Sequence, residues 1–303
     1  MSKLKDPVIR KSPSTGPDSP DIWGIYEPDT GSIQYICACP ETREAALIDV
    51  VWNFDPKSFA TDTRSMDQVV ALAEENDLKI TWVLDTHPHA DHLMASSHLK
   101  KRLGAPNAIG EKVSEISELW RDLYNTPNAF DPDRDFDRLF VDGDSFEIGK
   151  LRVDVMLSPG HTLGSITYVC GDAAFVHDTL MMPDSGTSRA DFPGGSAADL
   201  WESIQAILAL PDETRLFIGH DYGSDSRDEP AWEASVAEHK ASNKHVRSGT
   251  AKADYVETRE ARDATLALPD RMLAALQINL RAGQLPKPED DGHSYLKLPV
   301  DKF

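Results

Sequence analysis

A short segment in the first third of the chain concentrates residues that bind metal ions. Residues 85–92 read Asp-Thr-His-Pro-His-Ala-Asp-His, and the candidate ligands are His87, His89, Asp91 and His92. Imidazole nitrogen and carboxylate oxygen are the ligands of zinc and of non-haem iron. The alternative is an exposed histidine-rich loop that binds no metal. It is disfavoured because the chain has only 10 histidines and further candidate ligands occur elsewhere.

Three more candidate ligands each follow an apolar run. His161 lies in Ser-Pro-Gly-His-Thr, Asp178 in His-Asp-Thr and His220 in Gly-His-Asp. Taken alone, either histidine is more often a structural residue than a ligand. A rigid scaffold can, however, position a metal ion with ligands that come from the ends of several strands. We therefore predict that all seven side chains converge on one site.

The elements that must position these residues can be predicted from their periodicity. Strand-like runs precede each candidate segment, namely LKITWVLDT, LRVDVMLS, DAAFVHD and TRLFIGHD, and SIQYICAC with AALIDVV predicts a hairpin. Helical spacing marks SMDQVVALAEENDL, ADHLMASSHLKKRLG and DLWESIQAILAL. Two strand-rich stretches, each followed by helices, predict an α/β (α+β) fold with four layers in an αββα sandwich.

The chain is predicted to divide into three parts. Residues 1–22 are polar and proline-rich, which indicates a tail or loosely docked arm. Residues 23–250 form the domain that holds the candidate ligands. Residues 251–303 form a C-terminal helical extension packed on the same domain.

The amino-acid composition and net charge argue against some classes of binding partner. A formal net charge of −20 argues against binding to nucleic acid or to anionic membranes. No apolar run reaches the ~20 residues of a membrane span, and the N-terminus lacks the apolar stretch of a secretory signal, so we expect a cytoplasmic protein. Three cysteines give no disulfide framework, and Cys37 and Cys39 are interpreted as core residues.

The segments THPHADH, SPGHT, HDTL and GHDY resemble, in this order, the motifs of the metallo-β-lactamase superfamily. The resemblance implies the αββα fold, a catalytic domain over 23–250 and a site between the two sheets. In the dimetal hydrolases of this superfamily, His87, His89 and His161 would hold one metal. Asp91, His92 and His220 would hold the other, and Asp178 would bridge the two.

Longer segments resemble the persulfide dioxygenase branch, near glyoxalase II. They are THPHADHL, SPGHTLGS, DTLMMPDSGTSRADFPGG, HDYGSDSRDE and NLRAGQLPKPEDDGHSYLKLP. This resemblance implies one Fe(II) per chain, held by His87, His161 and Asp178, with three positions open. The substrates would be O₂ and glutathione persulfide or a similar small persulfide, and the products sulfite and a thiol. His177 stands where this family usually has glycine.

A glutathione-like substrate is an anion and needs a basic contact. Arg189 and Asp191 are predicted to shape the pocket, with Arg189 meeting a carboxylate; a structural salt bridge between them is the alternative. Tyr222 is expected to form a hydrogen bond near the site. Arg281 is a weaker candidate for substrate contact, and a surface position is favoured for it. In sum, the predicted catalytic residues are Asp91, Arg189, Asp191 and Tyr222, and the predicted substrate-binding residues are Arg189, Tyr222 and Arg281.

Two other functions remain open. One is a glyoxalase II-like thioesterase or lactonase with one or two zinc ions, because the same seven side chains suit either mechanism. The other is a non-enzymatic protein that binds metal or sulfur species, which the intact ligand set argues against. The C-terminal helices could support a homodimer.

Overall fold

The computed structural model describes residues 7–303, which form strands and helices in alternating groups. In chain order the strands are β1 (Val8–Ser12), β2 (Asp21–Tyr26), β3 (Ile33–Ala38), β4 (Glu44–Ile48), β5 (Val51–Phe54), β6 (Thr61–Asp62), β7 (Lys79–Leu84), β8 (Leu93–Met94), β9 (Asn107–Gly110), β10 (Arg138–Phe140), β11 (Ser145–Ile148), β12 (Leu151–Leu157), β13 (Ile166–Cys170), β14 (Ala173–His177), β15 (Arg215–Ile218) and β16 (Glu233–Ser235). The helices are α1 (Arg64–Glu75), α2 (Ser96–Leu103), α3 (Val113–Tyr124), α4 (Pro132–Asp135), α5 (Ala197–Leu208), α6 (Val236–Ser242), α7 (Lys252–Asp263) and α8 (Met272–Asn279).

Two large sheets contain most of the strands. The first has the order β1-β2-β3-β4-β7-β9-β10 and the second the order β11-β12-β13-β14-β15-β16. In the first sheet β4, β7 and β9 run parallel, and in the second β14 and β15 run parallel. Parallel neighbours bring their carboxyl ends to the same edge of a sheet, which is where ligand sites of mixed sheets form.

The sheets pack face to face, and the predicted αββα sandwich is confirmed. Tyr35 on β3 crosses between them, because its ring meets the edges of Phe175 and Phe217 with centroids 5.3 and 5.7 Å apart. Its hydroxyl donates a hydrogen bond to the Ile218 carbonyl. Strands β2 and β3 are buried at every position because both faces of the first sheet are covered.

Helices cover the outer faces of the two sheets. A second apolar cluster joins the first sheet to α1, α2 and α8, with Val69, Leu99 and Ile278 among its buried members. On the other side, Leu200 and Ile204 of α5 join the main core. The run ADHLMASSHLKKRLG predicts a helix that ends at Gly104, and α2 does end there, with Gly104 as a C-cap in the left-handed conformation, φ +68°. The helix begins only at Ser96, because Leu93–Met94 form β8.

The segment predicted as a loose arm contains a strand. Residues 8–12 pair with β2 in antiparallel register as the edge of the first sheet. Arg215 Nη1 donates to Ser12 Oγ at 2.7 Å, and Arg10 Nη1 donates to the Pro230 carbonyl at 2.7 Å. The polar composition concealed the strand because an edge strand bonds through its backbone while its side chains face water. Residues 1–6 of the predicted tail lie outside the described residues.

The C-terminal part begins with helices and ends without regular structure. Helices α7 and α8 fall in the predicted extension, whereas residues 280–303 contain neither helix nor strand. The polar segment EPAWEASVAEHKASNKHV, residues 229–246, predicts one helix, but it forms β16 and the short α6. The reason is that Ser235 caps a helix that begins only at Val236. The division into domains stays a prediction. Within the described part of the chain, no helix has the length and apolar character to cross a membrane.

The buried His239 on α6 predicts that the protein loses stability in mild acid. Burial lowers the pKa of His239 from 6.5 to about 4, and its Nδ1 lies 3.1 Å from Asn243 Nδ2. Between these pKa values the unfolded chain binds a proton that the folded chain does not. The free energy of unfolding therefore falls as the pH drops from 6.5 towards 4, by up to about 1.4 kcal/mol per pH unit.

Urea denaturation at several pH values measures this slope. His239→Gln should flatten it, whereas His293→Gln, at an exposed position, should leave it unchanged. An unchanged slope in His239→Gln would assign the acid sensitivity to other groups.

Candidate metal centre

The loop after β7 carries four of the candidate ligands and is held by Asp49, which follows β4. The Thr86 backbone N–H and hydroxyl both donate to the Asp49 carboxylate at 2.8 Å. Asp49 Oδ1 also lies 3.0 Å from His89 Nε2. Because β4 and β7 are parallel neighbours, this carboxylate lies beside the loop and orients it. His87, His89 and His92 are all buried.

His161 reaches the same place from the second sheet. The chain turns sharply at Gly160, which has φ of +130°, and a Cβ atom there would lie 2.3 Å from the Leu200 backbone. His161 Nδ1 donates to the Arg189 carbonyl at 2.8 Å. That bond leaves Nε2 facing Asp178, whose Oδ2 is 3.6 Å away.

Asp178 and His220 follow the parallel strands β14 and β15. His220 Nδ1 lies 2.6 Å from Asp178 Oδ1. Gly219 lies against this pair, since a Cβ atom there would come within 2.5 Å of Asp178 Oδ1. Only glycine at this position lets the carboxylate keep its place.

The seven predicted side chains come together in two groups. In each group the potential ligand atoms lie within 4.8 Å of one another. The first group is His87, His161 and Asp178, and the second is His89, Asp91, His92 and His220. The Asp178 carboxylate links them, because Oδ2 faces the first group and Oδ1 faces His220.

The charges at Asp91, Asp178 and His87 suit metal binding, whereas the two carboxylates raise the pKa of His220. Burial alone would raise the pKa values of Asp91 and Asp178, but attraction to His220 outweighs it and lowers both. Burial and the neighbouring His89 lower the pKa of His87. The carboxylates are therefore ionised and the His87 ring is neutral, which are the protonation states of metal ligands.

Unpartnered nitrogens supply a test of whether these residues fit a metal. Among the described residues, His87 Nε2, His89 Nδ1 and His92 Nε2 are buried without a hydrogen-bond partner. A buried polar atom without a partner is costly, so such atoms call for an explanation. Imidazole lone pairs beside ionised carboxylates fit a divalent transition metal such as iron or zinc.

His177, at the position where the resembling family usually has glycine, lies outside both groups. Its φ of +41° is in the left-handed region, and the pairing of β14 with β15 is irregular here. The ring is buried, and Nε2 lies 3.0 Å from Ser158 Oγ and 2.9 Å from Thr179 Oγ1. These two hydroxyls hold the ring between neighbouring strand ends, where it lies 5.4 Å from the His87 ring without joining either ligand group.

A cavity of ≈ 470 Å³ opens beside the two groups. Asp91, His161, Asp178 and His220 form its floor, and Arg189, Tyr222, Lys244, Arg259 and Arg262 are among the residues of its wall. Its lining also includes Met181, Phe192, Leu266 and Pro269. The cavity therefore joins the candidate metal centre to a wall that is partly basic and partly apolar.

The predicted substrate contacts fall in different places. Arg189 lines the cavity and also forms the alternative salt bridge, with two bonds of 2.6 and 2.7 Å to Asp191. Asp191 is outside the lining. Tyr222 stacks on the His220 ring at 5.7 Å, so it meets the site through its ring instead of the expected hydrogen bond.

The structure does not bring Arg281 to the cavity. Its guanidinium lies 4.5 Å from the Phe130 ring and donates to the Gln277 carbonyl. The end of α8 points it towards the cluster around α3, and the suggested substrate contact stays a prediction.

Several residues of the site were not found from the sequence, among them Ser32, Asp49, Lys244 and Arg262. Asp49 directly follows a buried strand, which is a signal that could have found it. Ser32 belongs to a turn, and Lys244 and Arg262 belong to polar segments far along the chain. Nothing in their local pattern marks them, because only the packing of distant segments brings them to the site.

Comparisons with known proteins agree with this geometry. The Metallo-beta-lactamase superfamily matches residues 38–220. A "Beta-lactamase hydrolase-like protein" of Xylella fastidiosa is 53% identical over 93% of this chain, which spans only 65% of that relative. "Glyoxylase B2" of Dictyostelium discoideum is 39% identical over 93% of this chain and 96% of its own length.

Persulfide dioxygenases are also similar to this chain. "Persulfide dioxygenase ETHE1, mitochondrial" of Bos taurus is 30% identical over 73% of the chain and 76% of its own length. The crystal structure of ETHE1 from Myxococcus xanthus superposes with a TM-score of 0.68 and 28% identity, covering 91% of this chain and all of that one. With seven candidate ligands at the strand ends of an αββα sandwich and a family match over most of the sandwich, the chain belongs to the metallo-beta-lactamase superfamily.

Proposed function

We propose that this protein is an Fe(II)-dependent dioxygenase that oxidises glutathione persulfide, or a similar small persulfide, with O₂ to sulfite and a thiol. One observation carries the proposal. Two histidines and one carboxylate, His87, His161 and Asp178, form a group of their own. Two histidines and a carboxylate on one face of a metal are the ligand set of non-haem Fe(II) oxygenases, and they leave positions open for both substrates.

The second group suits a supporting role in this proposal. His220 lies between two carboxylates, with Nδ1 2.6 Å from Asp178 and Nε2 2.6 Å from Asp91. Residues that orient metal ligands in this way tune the metal without binding it. The similarity to the bovine persulfide dioxygenase and to the Myxococcus structure favours the same activity.

Different residues of the chain would orient the metal ligands and bind the substrate. The Arg189 carbonyl holds the His161 ring in one tautomer, with Nε2 left free for a metal. The His220 ring holds the Asp178 carboxylate. The apolar part of the cavity would exclude water from the persulfide sulfur, and bound Fe(II) would supply the electrons that activate O₂.

Unpaired cations in the cavity favour an anionic substrate. Lys244 has no hydrogen bond or ion pair for its ammonium group within residues 7–303. The Arg262 guanidinium reaches only Thr265 Oγ1, at 3.4 Å. Two cations without a carboxylate partner in one cavity favour a site for the carboxylates of a substrate such as glutathione.

The direct test uses full-length protein purified without oxygen and loaded with Fe(II). We expect O₂ uptake and sulfite formation with glutathione persulfide, and iron at one equivalent per chain. The same protein should not hydrolyse S-lactoylglutathione. Iron-loaded protein that consumes no O₂ with the persulfide would refute the proposal.

A zinc-dependent thioesterase or lactonase, similar to glyoxalase II, is the second candidate. The unpartnered His89 Nδ1 and His92 Nε2 favour it, because both belong to the second group and could bind a second ion. The 39% identity to "Glyoxylase B2" points the same way. This candidate requires two metal ions per chain and hydrolysis of S-lactoylglutathione without O₂, so metal analysis and the two assays separate the candidates.

Replacing Lys244 with alanine is expected to weaken substrate binding. A charge-assisted hydrogen bond contributes about 1.5–3 kcal/mol, so KM for glutathione persulfide should rise by roughly tenfold or more while kcat changes little. Lys244→Arg, which keeps the charge, should restore most of the affinity. Steady-state kinetics measures both, with the exposed Lys57→Ala as the control. An unchanged KM in Lys244→Ala would place the carboxylate contact elsewhere.

A further inference from the structure

A small apolar pocket borders the first ligand group of the candidate metal centre. Helices α3 and α8 contribute Ile116 and Leu276 to its walls, and the loop after β7 and the loop before α5 complete them. Ala90, His161 and Phe192 line both this pocket and the substrate cavity. The apolar pocket therefore shares one wall with the substrate cavity, and that wall contains a candidate metal ligand.

Most side chains around the apolar pocket cannot form hydrogen bonds. His161 and Thr162 are polar, but both already have partners: His161 Nδ1 donates to the Arg189 carbonyl, and Thr162 Oγ1 lies 2.7 Å from Ser165 Oγ. The Trp120 indole N–H, which has no partner within residues 7–303, is a single donor. A buried water molecule typically makes about three hydrogen bonds, so an apolar occupant suits these walls better than water.

The walls of the pocket are fixed to one another by hydrogen bonds. The Tyr124 hydroxyl on α3 donates to the Leu273 carbonyl on α8 at 3.0 Å. Asn279 Nδ2, at the end of α8, donates to the His89 and His92 carbonyls at 2.7 and 2.8 Å. The space left between these walls for the centre of a water-sized molecule is ≈ 20 Å³. About 10–15 Å³ is enough for one such molecule, so the pocket can hold a molecule of one or two heavy atoms.

We propose that the apolar pocket is a binding site for dioxygen, the apolar substrate of the proposed reaction. The inference rests on the proposed function, because a hydrolase has no use for O₂. Transfer of an apolar molecule from water into an apolar space is favourable, and dry apolar cavities in proteins bind small apolar molecules. O₂ held in the pocket lies against the His161 ring, next to the first ligand group.

The chemistry of the two spaces gives each substrate its own site. The substrate cavity has Lys244 and Arg262 in its wall and suits an anion. The described residues that line the apolar pocket include no lysine, arginine, aspartate or glutamate. An anionic persulfide stays out of the pocket, because burying an unpaired charge is costly. Persulfide bound in the substrate cavity therefore leaves the pocket free for O₂.

Ile116→Phe tests the proposal by filling the apolar pocket from α3. We expect KM for O₂ to rise by at least about threefold, because O₂ loses its binding site, while KM for glutathione persulfide and the metal content stay unchanged. Leu276→Phe fills the pocket from α8 and should have the same effect. Initial rates of O₂ uptake at several O₂ concentrations measure these constants. A KM for O₂ equal to that of wild type in both variants would overturn the proposal.

The matched control enlarges an apolar side chain outside the pocket. Leu123 lies on the same helix as Ile116 and packs against the same apolar cluster, but it does not line the pocket. Leu123→Phe should therefore keep the wild-type KM for O₂. A rise equal to that of Ile116→Phe would assign the effect to disturbed packing of α3 and would overturn the O₂ site.

A second readout needs neither turnover nor iron. Dissolved O₂ is paramagnetic, so it speeds the magnetic relaxation of methyl protons close to it. In full-length zinc-loaded protein without persulfide, we expect O₂ to relax the methyl groups of Ile116 and Leu276 more strongly than those of Leu208, which is similarly buried in the main core. Ile116→Phe should remove the excess at Leu276, and equal relaxation of all these methyl groups in wild type would overturn the proposal. Iron-loaded wild type that consumes no O₂ would instead refute the proposed function, and the relaxation result would still decide whether the pocket binds O₂.

Discussion

Replacing His161 with alanine is expected to remove bound metal and turnover together. His161 belongs to the first ligand group, and its Nε2 lies 3.6 Å from Asp178 Oδ2. Loss of a residue that only orients a ligand typically costs about 10–100-fold in metal affinity or activity. Loss of the ligand itself should therefore cost more than about 100-fold in both.

Metal analysis and O₂ uptake on the same preparation measure this result. The exposed His293→Ala removes an imidazole elsewhere and should keep the wild-type metal content and rate. Circular dichroism should show that both variants are folded. A His161→Ala protein with full metal content and full activity would exclude His161 from the metal centre under either candidate function.

Replacing Arg259 with leucine is expected to destabilise the whole protein. Arg259 on α7 is 5% exposed, and its Nη2 donates to Asp263 Oδ1 at 2.5 Å. Removing one partner of a buried ion pair leaves an uncompensated charge, which costs about 3–5 kcal/mol. The free energy of unfolding, measured by urea denaturation, should fall by that amount.

Two further variants show whether the buried charge is the cause. Arg259→Leu combined with Asp263→Asn should recover much of the stability, because no charge is then left alone. Lys252→Leu, on the same helix, breaks an exposed ion pair with Glu202 and should cost at most about 1 kcal/mol. An Arg259→Leu variant as stable as Lys252→Leu would refute the argument.

The same ion pair links α7 to the candidate metal centre. Arg259 Nη1 donates to the Thr187 carbonyl at 3.0 Å, and Asp263 Oδ2 accepts from the Ala190 N–H at 2.9 Å. Between these anchors lies Arg189, whose carbonyl accepts the hydrogen bond of His161 Nδ1. We therefore expect Arg259→Leu to weaken metal binding as well as folding.

Periodicity predicted most of the fold because buried strands and amphipathic helices carry their pattern locally. Three features follow this local pattern: the hairpin of β3 and β4, the helix α1, and the end of α2 at Gly104. Residues 8–12 escaped prediction because an edge strand shows no apolar run. Residues 229–246 were misread because a polar helical pattern does not show where a cap interrupts it.

The sequence by itself determined the types of the seven candidate ligands and their place at strand ends. Those properties are local, because each ligand lies in a short motif that directly follows an apolar run of the sequence. The sequence also narrowed the choice of family, because it contains the motifs THPHADH, SPGHT, HDTL and GHDY in the order of the metallo-β-lactamase superfamily.

Only the tertiary structure distinguished between the two ligand groupings that the resemblance implied, and only it showed what surrounds the ligands. It separates His87, His161 and Asp178 from the other four, and it places Lys244 and Arg262 in the cavity wall. It also brings Ser32 to His220, which is 188 residues further along the chain. These relations depend on the packing of two sheets and on which ring nitrogen each hydrogen bond occupies. No local pattern encodes them, because the residues that set them are distant in the sequence.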